Sequence, residues 1–161
     1  MSGRHQYEVH LTWGGNRGEG TASYRAYARD HEARAGSRPT ILGSSDPAFR
    51  GDPARWDPER LLVVSLSQCH LLWYLHLCAV EGVVVVSYED RATGVMELED
   101  DGGGQFAEVT LHPVVEVRDQ AMVQRALELH ERASSLCFIA RSVNFPVRHD
   151  PQVRVLSAGA A

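Results

Sequence analysis

The stretch Asp57-Pro58-Glu59-Arg60-Leu61-Leu62-Val63-Val64-Ser65-Leu66-Ser67-Gln68-Cys69-His70-Leu71-Leu72-Trp73-Tyr74-Leu75-His76-Leu77-Cys78, closed by Gly82, decides how this chain folds. Asp57 offers a side-chain acceptor to a helix N-terminus. Pro58 suits the first helical position, where its missing N–H is not needed, and Glu59 sets a negative charge at the positive end of the helix. Gly82 is the matching stop. Between these signals the residues are apolar almost all round, interrupted by Ser65, Ser67, Gln68, His70 and His76. A helix of that kind is expected to be buried on most sides. At about six turns it is more than a chain of this size can surround with its own residues, so a partner subunit is expected. Leu61 to Cys78 is also long enough to raise a membrane span, but the polar interruptions and the lack of a basic flank favour a core helix.

At 161 residues with 43% hydrophobic content, the chain reads as a single domain over residues 1–161, with a core of about 7–156. The net charge of −5 disfavours an electrostatic nucleic-acid binder. All sixteen basic side chains are arginine, which excludes Schiff-base and lysine-base chemistry. The residues after Met1 contain no apolar signal-peptide core, and three cysteines do not make a disulfide framework. A cytoplasmic protein is expected.

Tyr7 to Trp13 alternates polar and apolar residues as a half-buried strand does, and Gly14-Gly15-Asn16-Arg17-Gly18 reads as a turn into a returning strand over Thr21–Ala28. Arg29 to Trp56 is expected to be a long irregular loop with a short strand near Ile41. After the central helix, Tyr88–Glu99 and Phe106–Val117 are expected as two strands joined across Asp100-Asp101-Gly102-Gly103-Gly104. Met122, Ala126, Leu129, Ala133 and Leu136 recur at helical spacing, predicting a second helix from about Arg118 to Leu136 that ends at Cys137. Val153-Arg154-Val155 suggests a terminal strand.

Chemistry enters with the cysteines. Cys69 and Cys137 are 68 positions apart, and Arg50 lies nineteen residues before Cys69. A thiol needs a nearby cation to become a thiolate at neutral pH, and a second thiol to complete two-electron redox chemistry as a disulfide. Cys78 sits nine residues from Cys69 on the same helix, about 13.5 Å along its axis and on the opposite face, so those two cannot pair; Cys78 reads as an inert core thiol. His70 and His76 read as core histidines. Cys69, His70, His76 and Cys78 scatter around the helix and do not gather as metal ligands.

Asn16-Arg17-Gly18-Glu19-Gly20-Thr21, Arg50, Asp57-Pro58-Glu59, Cys69 and Cys137 occur in an order and spacing that resembles the OsmC/Ohr family, the osmotically inducible protein C and organic hydroperoxide resistance proteins. The resemblance runs from about Val9 to Val155 and is nearer the OsmC branch. It implies an α+β fold with antiparallel sheets around a long buried central helix, and an intertwined homodimer. It also implies a thiol-dependent peroxidase that reduces organic hydroperoxides, with Cys69 as peroxidatic and Cys137 as resolving cysteine. Glu59 resembles the glutamate that orients the activating arginine. That arginine is Arg50 by the OsmC pattern and Arg17 by the Ohr pattern. The implied reductant is an external dithiol of the lipoyl type, with no bound cofactor or metal, no nucleic acid and no membrane. Two departures stand out: Phe138 follows Cys137 where the family usually has proline, and His70 follows Cys69 where it usually has phenylalanine. Trp56, Trp73 and Phe138 are candidates to line a pocket for an apolar peroxide. The alternative is a non-catalytic redox-sensing or small-molecule-binding module on the same fold.

Overall fold

The computed structural model describes residues 3–156, which divide into two compact units with the boundary between Leu62 and Val63. The first unit carries a three-stranded antiparallel sheet of β1 (His10–Trp13), β2 (His31–Arg34) and β3 (Ile41–Gly43), in that order. His10 stands opposite Arg34, and His31 opposite both Trp13 and Gly43. A short 3-10 helix, Pro47–Phe49, follows. The long helix α1 (Pro58–Val80) begins in this unit and continues through the second. Its start is as expected: Asp57 Oδ1 accepts the Arg60 N–H at 2.8 Å. At its end Gly82 takes a positive φ of 73°, which an L side chain would adopt only under strain.

The second unit holds β4 (Val85–Asp90), β5 (Thr93–Leu98), β6 (Gly104–Leu111), β7 (Pro113–Val117), α2 (Val123–Leu136), β8 (Val147–His149) and β9 (Gln152–Val155). Two long strands were expected between Tyr88 and Val117; the structure breaks each into two. β4 pairs antiparallel with β7, and β5 with β6, so one long hairpin bends at Arg91-Ala92 and His112 and serves two sheets. The bend has a local cause. Asp90 Oδ1 takes the His112 N–H at 2.7 Å, and Pro113 has no N–H to offer a ladder. β8 then adds parallel to β6, and β9 parallel to β7, completing the sheets β5-β6-β8 and β4-β7-β9. The sheets are therefore mixed, not purely antiparallel.

Two cores result. One gathers Tyr74, Leu77, Cys78, Val83, Val115, Val117, Ala126, Leu129 and Ala133; the other gathers Leu66, Val109 and Leu111 with Val63, Phe106 and Phe145 against them. Each large apolar side chain fully buried in this way contributes about 1.5–3 kcal/mol. The stripe expected on the second helix is the buried one, at Ala126, Leu129 and Ala133, although the α-helix itself begins only at Val123 after a 3-10 turn.

Two expectations are corrected. Thr21–Ala28 is a run of turns, and the strand that returns to β1 is His31–Arg34, inside the segment expected to be irregular. Asn16 explains this: its Oδ1 accepts N–H groups from both Gly18 and Gly20, curling the chain where a hairpin turn was expected. β1 is exposed along its whole length despite its alternation. Within the single chain α1 is buried along one face, at Leu66, His70, Tyr74, Leu77 and Cys78, and Leu72, Leu75 and Val80 are 66%, 38% and 68% exposed. By length and composition α1 is also apolar enough to cross a membrane.

Candidate functional site

Within the second unit, α1 and α2 bring Cys69 and Cys137 into hydrogen-bond contact across 68 positions of sequence. Both are free thiols. Cys69 is half-buried and Cys137 is 2% exposed. Cys137 is the C-cap of α2 and turns the chain into extended backbone, with φ −64° and ψ 113°. Burial pushes its thiol up to about 11, and its hydrogen bond to Cys69 adds to the shift; the Ala140 N–H, 3.3 Å from the sulfur, opposes it. Cys69 is the more accessible of the two sulfurs, which suits it to attack and Cys137 to the role of second thiol. Phe138 in place of proline does not prevent the contact. Cys78 is 1% exposed, lies against the Tyr74 hydroxyl, and is raised by burial. It is a core thiol.

His70, next to Cys69 in sequence, is a buried residue of the core face. Its Nε2 lies 3.0 Å from His130 Nδ1 of α2. The two rings are nearly coplanar, at 5°, and Tyr74 stacks on His130 with centroids 3.8 Å apart. His149 approaches His70 at 5.7 Å between centroids. Burial, and then the neighbouring His149, hold His70 down to about 4; burial, His70 and His149 hold His130 down to about 3. Both rings are neutral at physiological pH. His130 and His149 were not singled out from sequence. The signal for His130 was present, since it continues the buried spacing of α2 from Ala126 to Ala133 and Cys137. Among the described residues no three potential ligands gather in a metal-binding arrangement.

An open groove of about 310 Å³ is lined by Leu72, Trp73, His76 and Phe138. Leu72, Trp73 and His76 follow Cys69 by three, four and seven residues and so share its side of α1. Phe138 follows Cys137 directly and meets Trp73 edge to face, at 5.5 Å and 77°. Of the three aromatic pocket candidates, Trp73 and Phe138 are together. Trp56 belongs to the first unit, where it is 48% exposed and its backbone pairs with β3.

The first unit presents the charged candidates. Arg50 ends the Pro47–Phe49 turn with φ 64°, the one positive φ at a non-glycine position among the described residues. Such a conformation costs on the order of 1 kcal/mol or more and is retained where the surroundings enforce it. Here they do. Asp46 accepts the N–H groups of Ala48, Phe49 and Gly51, and a Cβ on Gly51 would fall 1.5 Å from the Ser45 carbonyl oxygen. The exposed Arg50 guanidinium lies 5.8 Å from the Tyr24 ring centroid. Arg60 ties this turn to the start of α1 through Asp46, at 3.1 Å, and Asp57. Arg17 is exposed on the Asn16-organised turn. Glu59 has a buried Oε2 with no hydrogen-bond partner, a carboxylate oxygen able to receive a cationic donor.

The chain resembles solved structures over nearly its whole length. An OsmC-like protein of unknown function from Vibrio cholerae is 28% identical, covering 92% of this chain and 100% of its own, with a TM-score of 0.82. An organic hydroperoxide resistance protein from Elizabethkingia anophelis is 14% identical with a TM-score of 0.69, covering 97% of this chain and 100% of its own. The organic hydroperoxide resistance protein OhrB of Bacillus subtilis is 15% identical with a TM-score of 0.63, covering 93% and 98%. No curated protein matches the sequence. The family model described as OsmC-like protein matches residues 51–151, which takes in α1, the bent hairpin, α2 and both cysteines. With that match over more than half its length, the chain belongs to the OsmC-like protein family.

Proposed function

We propose that this protein is a thiol peroxidase that reduces organic hydroperoxides to alcohols. The Cys69 thiolate attacks the terminal peroxide oxygen, the O–O bond breaks, and the alkoxide takes up a proton and leaves as the alcohol. Cys69 is left as a sulfenic acid. The Cys137 sulfur, giving up its proton, attacks the Cys69 sulfur; the S–O bond breaks and hydroxide leaves with that proton as water. An external dithiol, of the lipoyl type, supplies two electrons and two protons to restore both thiols. Arg50 is the cation that favours the Cys69 thiolate, with Arg17 as the alternative, and Glu59 orients the arginine.

The protein acts as a homodimer in the cytoplasm, without bound cofactor or metal, and without nucleic acid or membrane as partner. The apolar residues left open on α1 support a second copy as their cover. Glu59 and Cys69 are about 15 Å apart along one helix, so an arginine at Cys69 is better served by Glu59 of the partner subunit when the two helices pack antiparallel. The unpartnered Glu59 oxygen supports that arrangement. The groove beside Trp73 and Phe138 receives the apolar part of the peroxide.

The observation that carries the proposal is the contact between Cys69, which is half-buried, and Cys137, which is buried. The test is peroxide consumption with cumene hydroperoxide and excess dihydrolipoamide. Many turnovers per wild-type chain and none for Cys69→Ser are expected. A wild type that consumes one equivalent and stops would overturn it. That outcome belongs to the second reading, a redox sensor, which the strongly raised Cys137 thiol favours because a protonated second thiol closes the disulfide slowly.

A further inference from the structure

α1 and α2 are bridged at two places. One bridge is the sulfur pair. The other is the imidazole pair, His70 Nε2 to His130 Nδ1 at 3.0 Å. The bridges are linked on both helices: His70 follows Cys69, and His130 precedes Cys137 by seven residues, two turns along the same face. The thioperoxidase steps described above leave both histidines unused.

The imidazole bridge is a demanding contact. Both rings are essentially inaccessible, at 1% and 0% exposure. One proton between the facing nitrogens makes the bond, and His130 Nε2 is then buried with no hydrogen-bond partner of its own. The groups around the pair are named easily. Tyr74 of α1 stacks on His130, and His149 of β8 faces both rings. Asp90 at the end of β4 acts on His70 from a distance, with its oxygens engaged by Ser67 and the His112 N–H. Glu131 lies 3.4 Å from His149. None of these places a carboxylate against the facing nitrogens. A second proton there sets two N–H groups against each other in a space without water-like partners.

We propose that His70 and His130 are positioning residues of the disulfide-forming step: their hydrogen bond holds α1 against α2 in the register that keeps the Cys69 and Cys137 sulfurs in contact, and it releases that register when both rings are protonated. The proposal rests on the peroxidase reading only for the natural source of oxidising equivalents. Burial and mutual proximity, which keep both rings neutral until acid conditions, set where the release falls.

The test uses the full reduced chain and diamide, which takes two electrons and two protons from the two thiols and becomes the hydrazine, so peroxidase activity is not required. Disulfide closure is followed by acid quench and mass spectrometry, and first attack by Cys69 is measured separately as its alkylation rate. His130→Leu removes the bond and is expected to slow closure about fivefold or more with the alkylation rate unchanged. His130→Asn keeps a polar atom at the Nδ1 position and is expected to close within about twofold of wild type. Below about pH 4 the wild type is expected to lose closure rate more steeply than the tenfold per pH unit set by thiolate supply, while His130→Asn keeps to that line. Closure by His130→Leu at the wild-type rate overturns the proposal, as does a wild type that keeps to the thiolate line down to about pH 3. Should the leucine variant not fold, the comparison of pH profiles decides alone. A parallel arm with cumene hydroperoxide separates the two readings: no disulfide there, with the diamide results as expected, removes the peroxidase reading and leaves this one standing.

Discussion

Cys69 and Cys78 share one helix, yet their surroundings are opposite. Cys69 is half-buried, meets a second thiol, and shares its side of α1 with residues that line an open groove. Cys78, nine residues on, is sealed among Leu77, Val83 and Ala126, with the Tyr74 hydroxyl as its polar neighbour. The same atom type is thus poised at one site and silent at the other, and the difference is made by what the neighbouring elements bring. α2 ends at Cys69 with a thiol, whereas at Cys78 it and β7 bring only carbon.

That contrast can be broken most directly by substitution. Cys69→Ser is expected to lower hydroperoxide turnover by about a thousandfold or more, while Cys78→Ser leaves turnover within about twofold and costs about 1–3 kcal/mol by placing a hydroxyl in an apolar site. A coupled consumption assay and thermal unfolding measure the two effects. Equal losses of turnover would erase the distinction.

The imidazole pair sits between the two cysteines and gives a pH test. Both histidines are depressed in the folded state, so the unfolded chain binds protons first, from about pH 6.5 downward. Stability is therefore full above about 6.5 and falls as pH drops toward 4, where the folded His70 begins to titrate. The loss from His70 alone is on the order of 3 kcal/mol. Urea unfolding at pH 7.5, 5.5 and 4.5 should show it, and His130→Asn should flatten the curve. A flat wild-type profile would mean the rings do not stay neutral.

Cys137→Ser sharpens the assignment of roles. Cys69 should still react once with peroxide, its sulfenic acid should persist and be trapped by dimedone, and turnover with dithiol should fall about tenfold or more. Rapid over-oxidation without a trappable sulfenic acid would speak against a two-cysteine cycle. Arg50→Ala should lower Cys69 alkylation at pH 7 by about tenfold, with Arg17→Ala near wild type. The reverse ranking assigns the activating charge to Arg17. Smallest is Phe138→Ala, which should raise KM for cumene hydroperoxide a few-fold, about what one lost aromatic contact is worth, and leave hydrogen peroxide unaffected. Equal change for both peroxides would take the groove out of substrate binding.

The legible parts of the chain were those with short-range causes. Asp57-Pro58 and Gly82 bound α1 because capping is decided within one turn, and the stripe of α2 was visible because its buried side is apolar. What was hidden depended on distant partners. His130 is a polar residue in an apolar position, and its justification, His70, is sixty residues away. The split of each long strand at Arg91-Ala92 and His112 depends on a side chain of β4 capturing a backbone N–H of the opposite strand. β1 was misread as half-buried because alternation reports which side could be covered and says nothing of whether this chain covers it. Cys137 was found through resemblance, since nothing in a single cysteine at a helix end announces a partner.

The bent hairpin imposes an order on synthesis. β4 to β7 pair over short sequence distances, so this ribbon can form while the rest of the chain is still being made. Each of its two sheets, however, receives its third strand from the last ten or so described residues, β8 for one and β9 for the other. Until those residues leave the ribosome, both sheets present a bare edge, and α2, Cys137 included, has no finished sheet to settle on. Cys69 is thus translated well before the strands that complete the two sheets. A nascent chain paused near Pro146 would carry reactive sulfur without its architecture, which makes late translation the interval in which this protein is most exposed to the oxidants it is proposed to remove.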